Sequence, residues 1–280
     1  MNSFGSNNPI LALVTDFGLK DAYVGQLKGV IYTHCPLTRI VDISHEVPPF
    51  NIRVGAYFLA TCADHFPADT TFLAIVDPGV GSDRSIVILE AGGQRFVAPD
   101  NGLLSLISRN KPHKLWRLLT PSRTYDSNVF AGRDIIAPAV GELLAGVPIS
   151  ELCEPMSEGE LQTVHWARAE VLNDKVRSEI LYIDNFGNLI LNLTIKQWTF
   201  LSNNVCLCLK FQGKEHPLRQ AASYSQIPQQ GMALITGSQG YMEIAMNCGS
   251  AAAFLAVNPK ALVNLSQVNP ELQVEITVVK

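Results

Sequence analysis

The sequence predicts two domains: an α/β domain with a mostly parallel sheet, followed by an all-β domain that resembles a barrel. In the first half, short apolar runs alternate with segments whose apolar residues recur every three or four positions, the spacing of a helix face. After about Leu161, short β-patterned runs punctuated by Gly, Asn and Pro replace this spacing. The 280 residues, 47% of them hydrophobic, suffice for two cores. We expect domains at residues 1–160 and 168–280, joined by a linker within residues 154–167.

Strand and helix signals alternate through the first domain, an order that favours parallel strands joined by helical crossovers. Apolar, β-rich runs predict strands at Ile10–Val14, Arg39–Ile43, Thr71–Val76, Ser85–Leu89 and Arg95–Ala98. Helical spacing of apolar residues predicts helices at about Asp21–His34, Ile52–Ala60 and Ile135–Ala145.

The second domain contains closely spaced strand signals and little helical periodicity. The predicted strands are Glu170–Leu172, Glu179–Asp184, Leu189–Leu193, Val205–Leu209, Met232–Thr236, Tyr241–Ala245 and Val274–Val279. Many short strands separated by turn residues are typical of a compact all-β domain, and we expect this one to resemble a barrel.

The composition excludes several classes of protein. A hydrophobic content of 47% with a net charge of −4 excludes an intrinsically disordered chain. No basic stripe is present, so we expect no nucleic-acid partner. No apolar run approaches the ~18 residues that cross a bilayer, so we expect no membrane partner. The polar start MNSFGSNN does not resemble a signal peptide, which favours a cytoplasmic protein.

Cysteine and histidine spacing gives no sign of a disulfide framework or a metal site. The six cysteines include no CxxC pair, and most lie in apolar runs, which favours free, buried thiols in a reducing cytoplasm. Cys206 and Cys208 alternate with leucines, and we expect them in a strand core. The six histidines show no HxxxH or HxH spacing, so we expect no zinc site.

Two acidic residues follow predicted strands of the α/β domain. Asp16 closes the first strand and Asp77 closes the strand at Thr71–Val76. Ligands of open α/β sheets bind outside the carboxyl ends of the strands, where a carboxylate can accept both hydroxyls of a ribose. Each aspartate is equally well explained as a helix cap or a turn residue. Arg84 follows Asp77 across a Gly-rich turn and can pair with it, either as a structural ion pair or to hold a water.

Two Asn-Gly loops are further candidates. Residues 98–102, Ala-Pro-Asp-Asn-Gly, read most simply as a turn and a helix cap. Residues 184–188, Asp-Asn-Phe-Gly-Asn, follow an apolar strand and predict a hairpin turn. That second loop also offers an aromatic face beside an amide, a combination that stacks on a purine and hydrogen-bonds its edge.

Six motifs, in order, resemble the S-adenosylmethionine hydrolase family (S-adenosylmethionine hydroxide adenosyltransferases), the relatives of fluorinase and chlorinase. They are VTDFG at 14–18, VDPGVGSDR at 76–84, APDNGLLS at 98–105, FAGRDIIAP at 130–138, IDNFGN at 183–188 and SQGYMEIAMN at 238–247. The resemblance implies an α/β domain followed by a β-barrel. It also implies a homotrimer with each active site at a subunit interface, and S-adenosylmethionine as substrate with no further cofactor.

The implied reaction is a substitution at the ribose C5′ of S-adenosylmethionine, in which water attacks and methionine leaves to give adenosine. The sulfonium makes methionine a neutral leaving group, so the chemical demand is to hold and deprotonate a water. In the hydrolases an Asp, an Arg and a His share this task. Asp77 and Arg84 match the first two, but the motif F-H-G-R-D reads Phe130-Ala131-Gly132-Arg133-Asp134, with Ala131 in place of the His.

Substrate contacts are implied at seven further positions. Asp16 resembles the acid that binds the ribose hydroxyls, and Phe50 an aromatic that walls the pocket. Phe186 resembles the ring that stacks on adenine, and Asn188 the amide that reads its edge. The groups around the methionine end and the nearby ribose are Asp184, Ser238 and Glu243.

Ala131 leaves three hypotheses open. The first is a hydrolase of low activity, because loss of a general base costs about 10²–10⁴-fold in rate. The second is an adenosyl-ligand binding protein without turnover. The third is a halide adenosyltransferase, which the sequence disfavours. Asp77 would repel a halide ~4 Å away by about 4 kcal/mol at an effective dielectric near 20, and Gln239 replaces an Arg found in fluorinase.

Overall fold

The computed structural model describes residues 8–119, 130–172, 175–198, 206–263 and 269–279. The chain divides into two compact units, the first ending at Val164 and the second beginning at His165. The predicted combination of an α/β domain and a β-barrel domain is confirmed.

The first unit contains a seven-stranded sheet in the order β2-β1-β3-β5-β4-β6-β7. Its strands are β1 Ile10–Thr15, β2 Arg39–Ser44, β3 Thr71–Ile75, β4 Ile86–Ala91, β5 Gln94–Pro99, β6 His113–Leu118 and β7 Cys153–Met156. The sheet is parallel from β2 through β5 and antiparallel from β5 through β7. The change of direction follows from the two-residue hairpin turn at Gly92-Gly93, whose φ angles of 60° and 80° only glycine adopts readily.

Helices pack on this sheet. They are α1 Tyr23–His34, α2 Ile52–Ala63, α3 Ser105–Asn110, a π-helical turn Gly132–Ile136, α4 Ala137–Leu144 and α5 Ile149–Leu152. Buried strands β1 and β3 form the centre of the core, and Leu27 and Ile31 of α1 pack against it together with Val140 of α4. Strands β6 and β7 were not predicted, and β7 occupies the start of the segment expected to link the domains.

The second unit is a closed barrel of seven strands. Its order is β10-β14-β13-β12-β11-β15-β9, and β10 pairs with β9 to close it, with β8 added beside β9. The strands are β8 Glu170–Val171, β9 Lys175–Ile183, β10 Leu189–Thr194, β11 Cys206–Phe211, β12 Lys214–Gln220, β13 Met232–Thr236, β14 Tyr241–Met246 and β15 Gln273–Val279. Short helices α6 Ile195–Trp198 and α7 Ala251–Phe254 accompany them, with single 3₁₀ turns such as Tyr224–Gln226.

The expectation that Cys206 and Cys208 lie in a strand core is wrong. Successive side chains of a strand point to opposite faces, and Leu207 and Leu209 take the buried face of β11. Cys206 is therefore exposed and Cys208 is half-buried. All six thiols are free, but only Cys35 and Cys153 are buried. Among the described residues, no helix is long and apolar enough to span a membrane.

Candidate functional site

The carboxyl ends of β1 and β3 lie side by side and carry the two predicted acids. Thr15 pairs with Ile75 in the parallel register, so Asp16 and Asp77 emerge at the same edge of the sheet. Burial raises the pKa of Asp16. The amide of Phe50 opposes this effect, and the negative charge of Asp77 adds to it. The two carboxylates are therefore close enough to interact electrostatically.

Arg84 forms the expected ion pair with Asp77 across the Gly-rich turn. The backbone amide of Gly79 donates to the same carboxylate oxygen, Oδ1, at 3.0 Å. The guanidinium lies over Gly79, where a Cβ would come within 2.7 Å of Nη2. Both bonds use Oδ1, so Oδ2 of Asp77 can accept a hydrogen bond from a water.

Asn101 fixes the end of β3 directly before Asp77. Its Nδ2 donates to the carbonyl of Val76 at 2.9 Å, and its Oδ1 accepts from the amide of Leu103 at 3.2 Å. The side chain is buried. The loop at 98–102 is thus more than a turn and cap, because it supports the strand end that carries the acid.

The segment that contains Ala131 lies at this same edge. The ring of Phe130 meets the ring of Phe17, the neighbour of Asp16, with centroids 5.6 Å apart. A Cβ on Gly132 would come within 3.1 Å of the Cδ1 atom of Ile75. Ala131 is therefore flanked by residues that contact the ends of β1 and β3.

Arg133 and Asp134 of the same motif bind each other rather than the two acids. The guanidinium donates to Asp134 at 2.6 and 2.9 Å and to Gln26 of α1 at 3.0 Å. It also lies 5.1 Å from the centroid of the Phe130 ring. This pair anchors the start of the π-helical turn to α1.

Phe50 has a left-handed backbone, with φ of 66°, and a ring that is 56% exposed. Its amide donates to Oδ2 of Asp16 at 2.8 Å. This conformation costs a non-glycine residue about 1–3 kcal/mol, and such strain is concentrated at functional sites. The backbone of Phe50 thus restrains one oxygen of Asp16, while Oδ1 stays outside this bond.

In the second unit, Asp184 organises the turn between β9 and β10. Its Oδ1 accepts from the amides of Phe186 and Asn188, each at 2.9 Å, and its Oδ2 accepts from Nδ2 of Asn188 at 2.8 Å. Gly187 lies against Ser250, where a Cβ would come within 2.0 Å of Oγ. The ring of Phe186 is 79% exposed and presents its face to solvent.

Asn188 is part of a polar network that includes Tyr224, a residue outside the six sequence motifs. Its Nδ2 also donates to the hydroxyl of Tyr224 at 3.0 Å, and that hydroxyl donates to Glu243 at 3.2 Å. Burial and the charge of Glu243 raise the pKa of Tyr224 to about 12, so the phenol stays protonated. Burial also raises the pKa of Glu243, the Tyr224 bond lowers it, and the charge of Asp184 raises it further.

A cavity of about 630 Å³ opens beside this network. Its lining residues are Phe186, Asn188, Tyr224, Met246, Asn247, Cys248, Gly249 and Ser250. An exposed ring, a buried amide and a phenol on one wall are suited to a flat heteroaromatic ligand.

Ser238 lies in the exposed turn between β13 and β14. Glu243 packs under that turn, because a Cβ on Gly237 would come within 1.8 Å of its Oε1. The predicted site residues thus form two groups. Asp16, Phe50, Asp77 and Arg84 lie in the first unit, and Asp184, Phe186, Asn188, Ser238 and Glu243 in the second. No group of three or more metal-ligating side chains is present in the described ranges.

Comparison with known proteins shows the family to which both units belong. A model of the SAM hydroxide adenosyltransferase N-terminal domain matches residues 11–153, and a model of the C-terminal domain matches residues 178–264. An (R)-S-adenosyl-L-methionine hydrolase of Thermus thermophilus is 32% identical, covering 87% of this chain and 94% of the relative. One of Salinispora arenicola is 30% identical, covering 91% and 96%.

More distant relatives and solved structures extend the comparison. A fluorinase of Nocardia brasiliensis is 25% identical, covering 90% of this chain and 95% of the relative. A crystal structure of a conserved protein from Thermotoga maritima matches with a TM-score of 0.82 at 30% identity, covering 95% of this chain and 99% of that chain. The chain belongs to the S-adenosylmethionine hydroxide adenosyltransferase family, as the order of its motifs predicts.

Proposed function

We propose that this protein hydrolyses S-adenosylmethionine to adenosine and methionine by attack of water at the ribose C5′. The observation that carries the proposal is the Asp77–Arg84 pair, held beside Asp16 at the carboxyl ends of β1 and β3. The two hydrolases reported above are named (R)-S-adenosyl-L-methionine hydrolases, and we propose the (R) sulfonium isomer as the substrate of this protein.

Asp77 and Arg84 supply what the nucleophile needs. Oδ2 of Asp77 accepts a hydrogen bond from the water and orients its lone pair, while Arg84 and the amide of Gly79 hold the carboxylate in place through Oδ1. The C5′–S bond breaks as the C5′–O bond forms, and the electron pair goes to sulfur, which becomes the neutral thioether of methionine. The water's second proton passes to the solvent or to Asp77.

The remaining polar groups suit the adenosine portion. Asp16 accepts the 2′ and 3′ hydroxyls through the oxygen that Phe50 does not use. Asn188 already donates both amide hydrogens, to Asp184 and Tyr224, so its Oδ1 is left to accept from the amino group of adenine. Phe186 provides the stacking face.

A binding protein without turnover is the second candidate, and Ala131 is the observation that favours it. Among the described residues, the hydrogen bonds to the two acids come from two backbone amides, those of Phe50 and Gly79, and from the guanidinium of Arg84, and all three are donors rather than general bases. A halide transferase is the third, and the negative charge of Asp77 opposes it.

Chromatographic detection of adenosine after incubation with each sulfonium isomer tests the proposal. We expect adenosine from the (R) isomer, and none above the uncatalysed rate with Asp77→Asn, which keeps the shape of the side chain but removes its charge. Calorimetric binding of S-adenosylmethionine without adenosine formation would favour the binding protein. A chlorinated nucleoside formed in molar chloride would favour the third candidate.

A further inference from the structure

A chain of hydrogen bonds and ion-pair contacts runs behind the end of β1 and has no part in the reaction described above. The hydroxyl of Thr15 lies 2.8 Å from Nδ1 of His45, and Nε2 of His45 lies 3.1 Å from Oδ1 of Asp42. Lys28 donates to the other oxygen of Asp42 at 2.6 Å. The side chain of His45 is 1% exposed, and Thr15 is fully buried.

The directions of these bonds follow from counting donors and acceptors. Asp42 is ionised, because Lys28 and His45 outweigh the effect of burial and hold its pKa below the ordinary value. An ionised carboxylate only accepts, so Nε2 of His45 carries the hydrogen. The amide of Phe17 donates to Oγ1 of Thr15 at 3.3 Å, and the Thr15 hydroxyl can donate to Nδ1 of His45, whose lone pair is free when the ring hydrogen is on Nε2. Nδ1 of His45 is therefore hydrogen-bonded, whereas Nε2 makes a 3.1 Å contact with Asp42 that lacks the geometry of a hydrogen bond.

Backbone bonds join the same two segments. The amide of Gly18 donates to the carbonyl of His45 at 2.8 Å, and the amide of Val47 donates to the carbonyl of Thr15 at 3.3 Å. The amide of Phe50 then reaches Asp16 at 2.8 Å. The loop after β1 and the loop after β2 are thus connected on both sides of Asp16.

We propose that His45 is a positioning residue, which sets the orientation of the Asp16 carboxylate for ribose through its bond to Thr15. The inference rests on the proposed role of Asp16 in binding the ribose hydroxyls. Thr15 immediately precedes Asp16, and its side chain has no access to water that could replace a lost partner. Asp42 can tolerate the loss of His45, because its side chain is 39% exposed to water and still has Lys28 as a partner.

Nδ1 of the imidazole faces a buried partner and Nε2 a partly exposed one, so variants that retain only one of the two contacts can test the role of His45. The amide of an asparagine occupies roughly the place of Nδ1, and that of a glutamine roughly the place of Nε2. His45→Asn keeps the bond to Thr15 and His45→Gln keeps the contact with Asp42. We expect His45→Gln to weaken adenosine binding by about five- to tenfold, and His45→Asn to stay within about threefold of the unaltered protein. His65→Asn, on an exposed histidine, is the matched control.

Titration calorimetry with adenosine and steady-state kinetics with S-adenosylmethionine give the two readouts, with the fraction of folded protein checked by circular dichroism. Weaker binding and a raised KM, with kcat changed less, support a positioning role. Thr15→Val should weaken binding like His45→Gln, and Thr15→Ser should retain it, so the test survives misfolding of either histidine variant. Equal affinities of the His45→Asn, His45→Gln and unaltered proteins for adenosine, or a loss of thermal stability alone, would overturn the inference.

If the unaltered protein binds adenosine but forms none from S-adenosylmethionine, the proposed hydrolysis fails, while the titration still decides the role of His45. Absence of adenosine binding would overturn both.

Discussion

At the scale of single residues, Ala131 stands where the motif resemblance predicts a catalytic His. The neighbouring side chains still hold the segment at the strand ends, through Phe130 on Phe17 and Gly132 on Ile75. We therefore propose that position 131 has the surroundings that a general base would need, although alanine is not a base. A restored imidazole should then reach the water that Asp77 orients.

Ala131→His should raise kcat by about tenfold or more, with substrate binding little changed, because a general base acts mainly in the transition state. With an unperturbed pKa near 6.5, the imidazole is mostly neutral at pH 7.5 and can take a proton. Initial rates of adenosine formation check this. Ala131→Leu fills the same space without a base and serves as the control. Asp77→Ala should remove turnover both in the unaltered protein and in the Ala131→His variant. If Ala131→His leaves the rate unchanged and the circular dichroism spectrum is intact, the hypothesis of a binding protein without turnover is favoured.

Asn188→Ala should weaken adenosine binding by about 1–3 kcal/mol, because the adenine edge loses its partner. Tyr224→Phe keeps the ring and removes the hydroxyl that holds the amide. We expect a smaller loss, about 0.5–1.5 kcal/mol. Calorimetry on both variants checks the order, and an unchanged affinity for Asn188→Ala would return this residue to a purely structural role in the turn.

The raised pKa of Asp16 predicts acid-sensitive binding. The carboxylate accepts ribose hydroxyls only when ionised, and burial together with the charge of Asp77 favours its protonated form. Adenosine affinity should therefore fall as the pH is lowered, starting at a higher pH than for an ordinary aspartate. Titrations at several pH values check this. Asp16→Asn should bind more weakly at neutral pH and lose the pH dependence, whereas a dependence that persists in this variant would assign the effect to another group.

At the scale of helices and strands, the site depends on strand ends that several elements hold in place. The strands and helices with strong apolar periodicity were predictable, and so were the two acids at the ends of β1 and β3. Strand β12 was not, because Lys-Glu-His-Pro-Leu-Arg-Gln offers only Leu218 to the core. The role of Tyr224 was also hidden, since its contacts with Asn188 and Glu243 join positions far apart in sequence.

The close approach of α1 and α4 gives a prediction at this scale. A Cβ on Gly141 would lie 2.5 Å from the Cβ of His34. Gly141→Ala should therefore destabilise the protein by about 1–3 kcal/mol through overpacking. Gly29→Ala is the matched control, because that glycine lies within α1 and no other atom is within 4 Å of its Cβ position. The control should be neutral or gain about 0.5–1 kcal/mol. Thermal unfolding compares the two, and equal Tm values would contradict the packing argument.

At the scale of the whole molecule, the family's typical trimer remains a prediction for this chain. Several large apolar side chains of the first unit are exposed, among them Leu19, Tyr23, Phe50 and Val80. Association would cover such surface. Light scattering should give three times the mass of the chain, and a stable monomer with full ligand affinity would contradict this.

The central claim is that water is the nucleophile, and isotope labelling tests it most directly. The protein is incubated with (R)-S-adenosylmethionine in water enriched in ¹⁸O, and the adenosine is analysed by mass spectrometry. Attack of water at C5′ predicts ¹⁸O in the 5′-hydroxyl of adenosine, in a fraction equal to the enrichment of the water, and none in methionine. Adenosine without the label, or the label in methionine, would contradict the account.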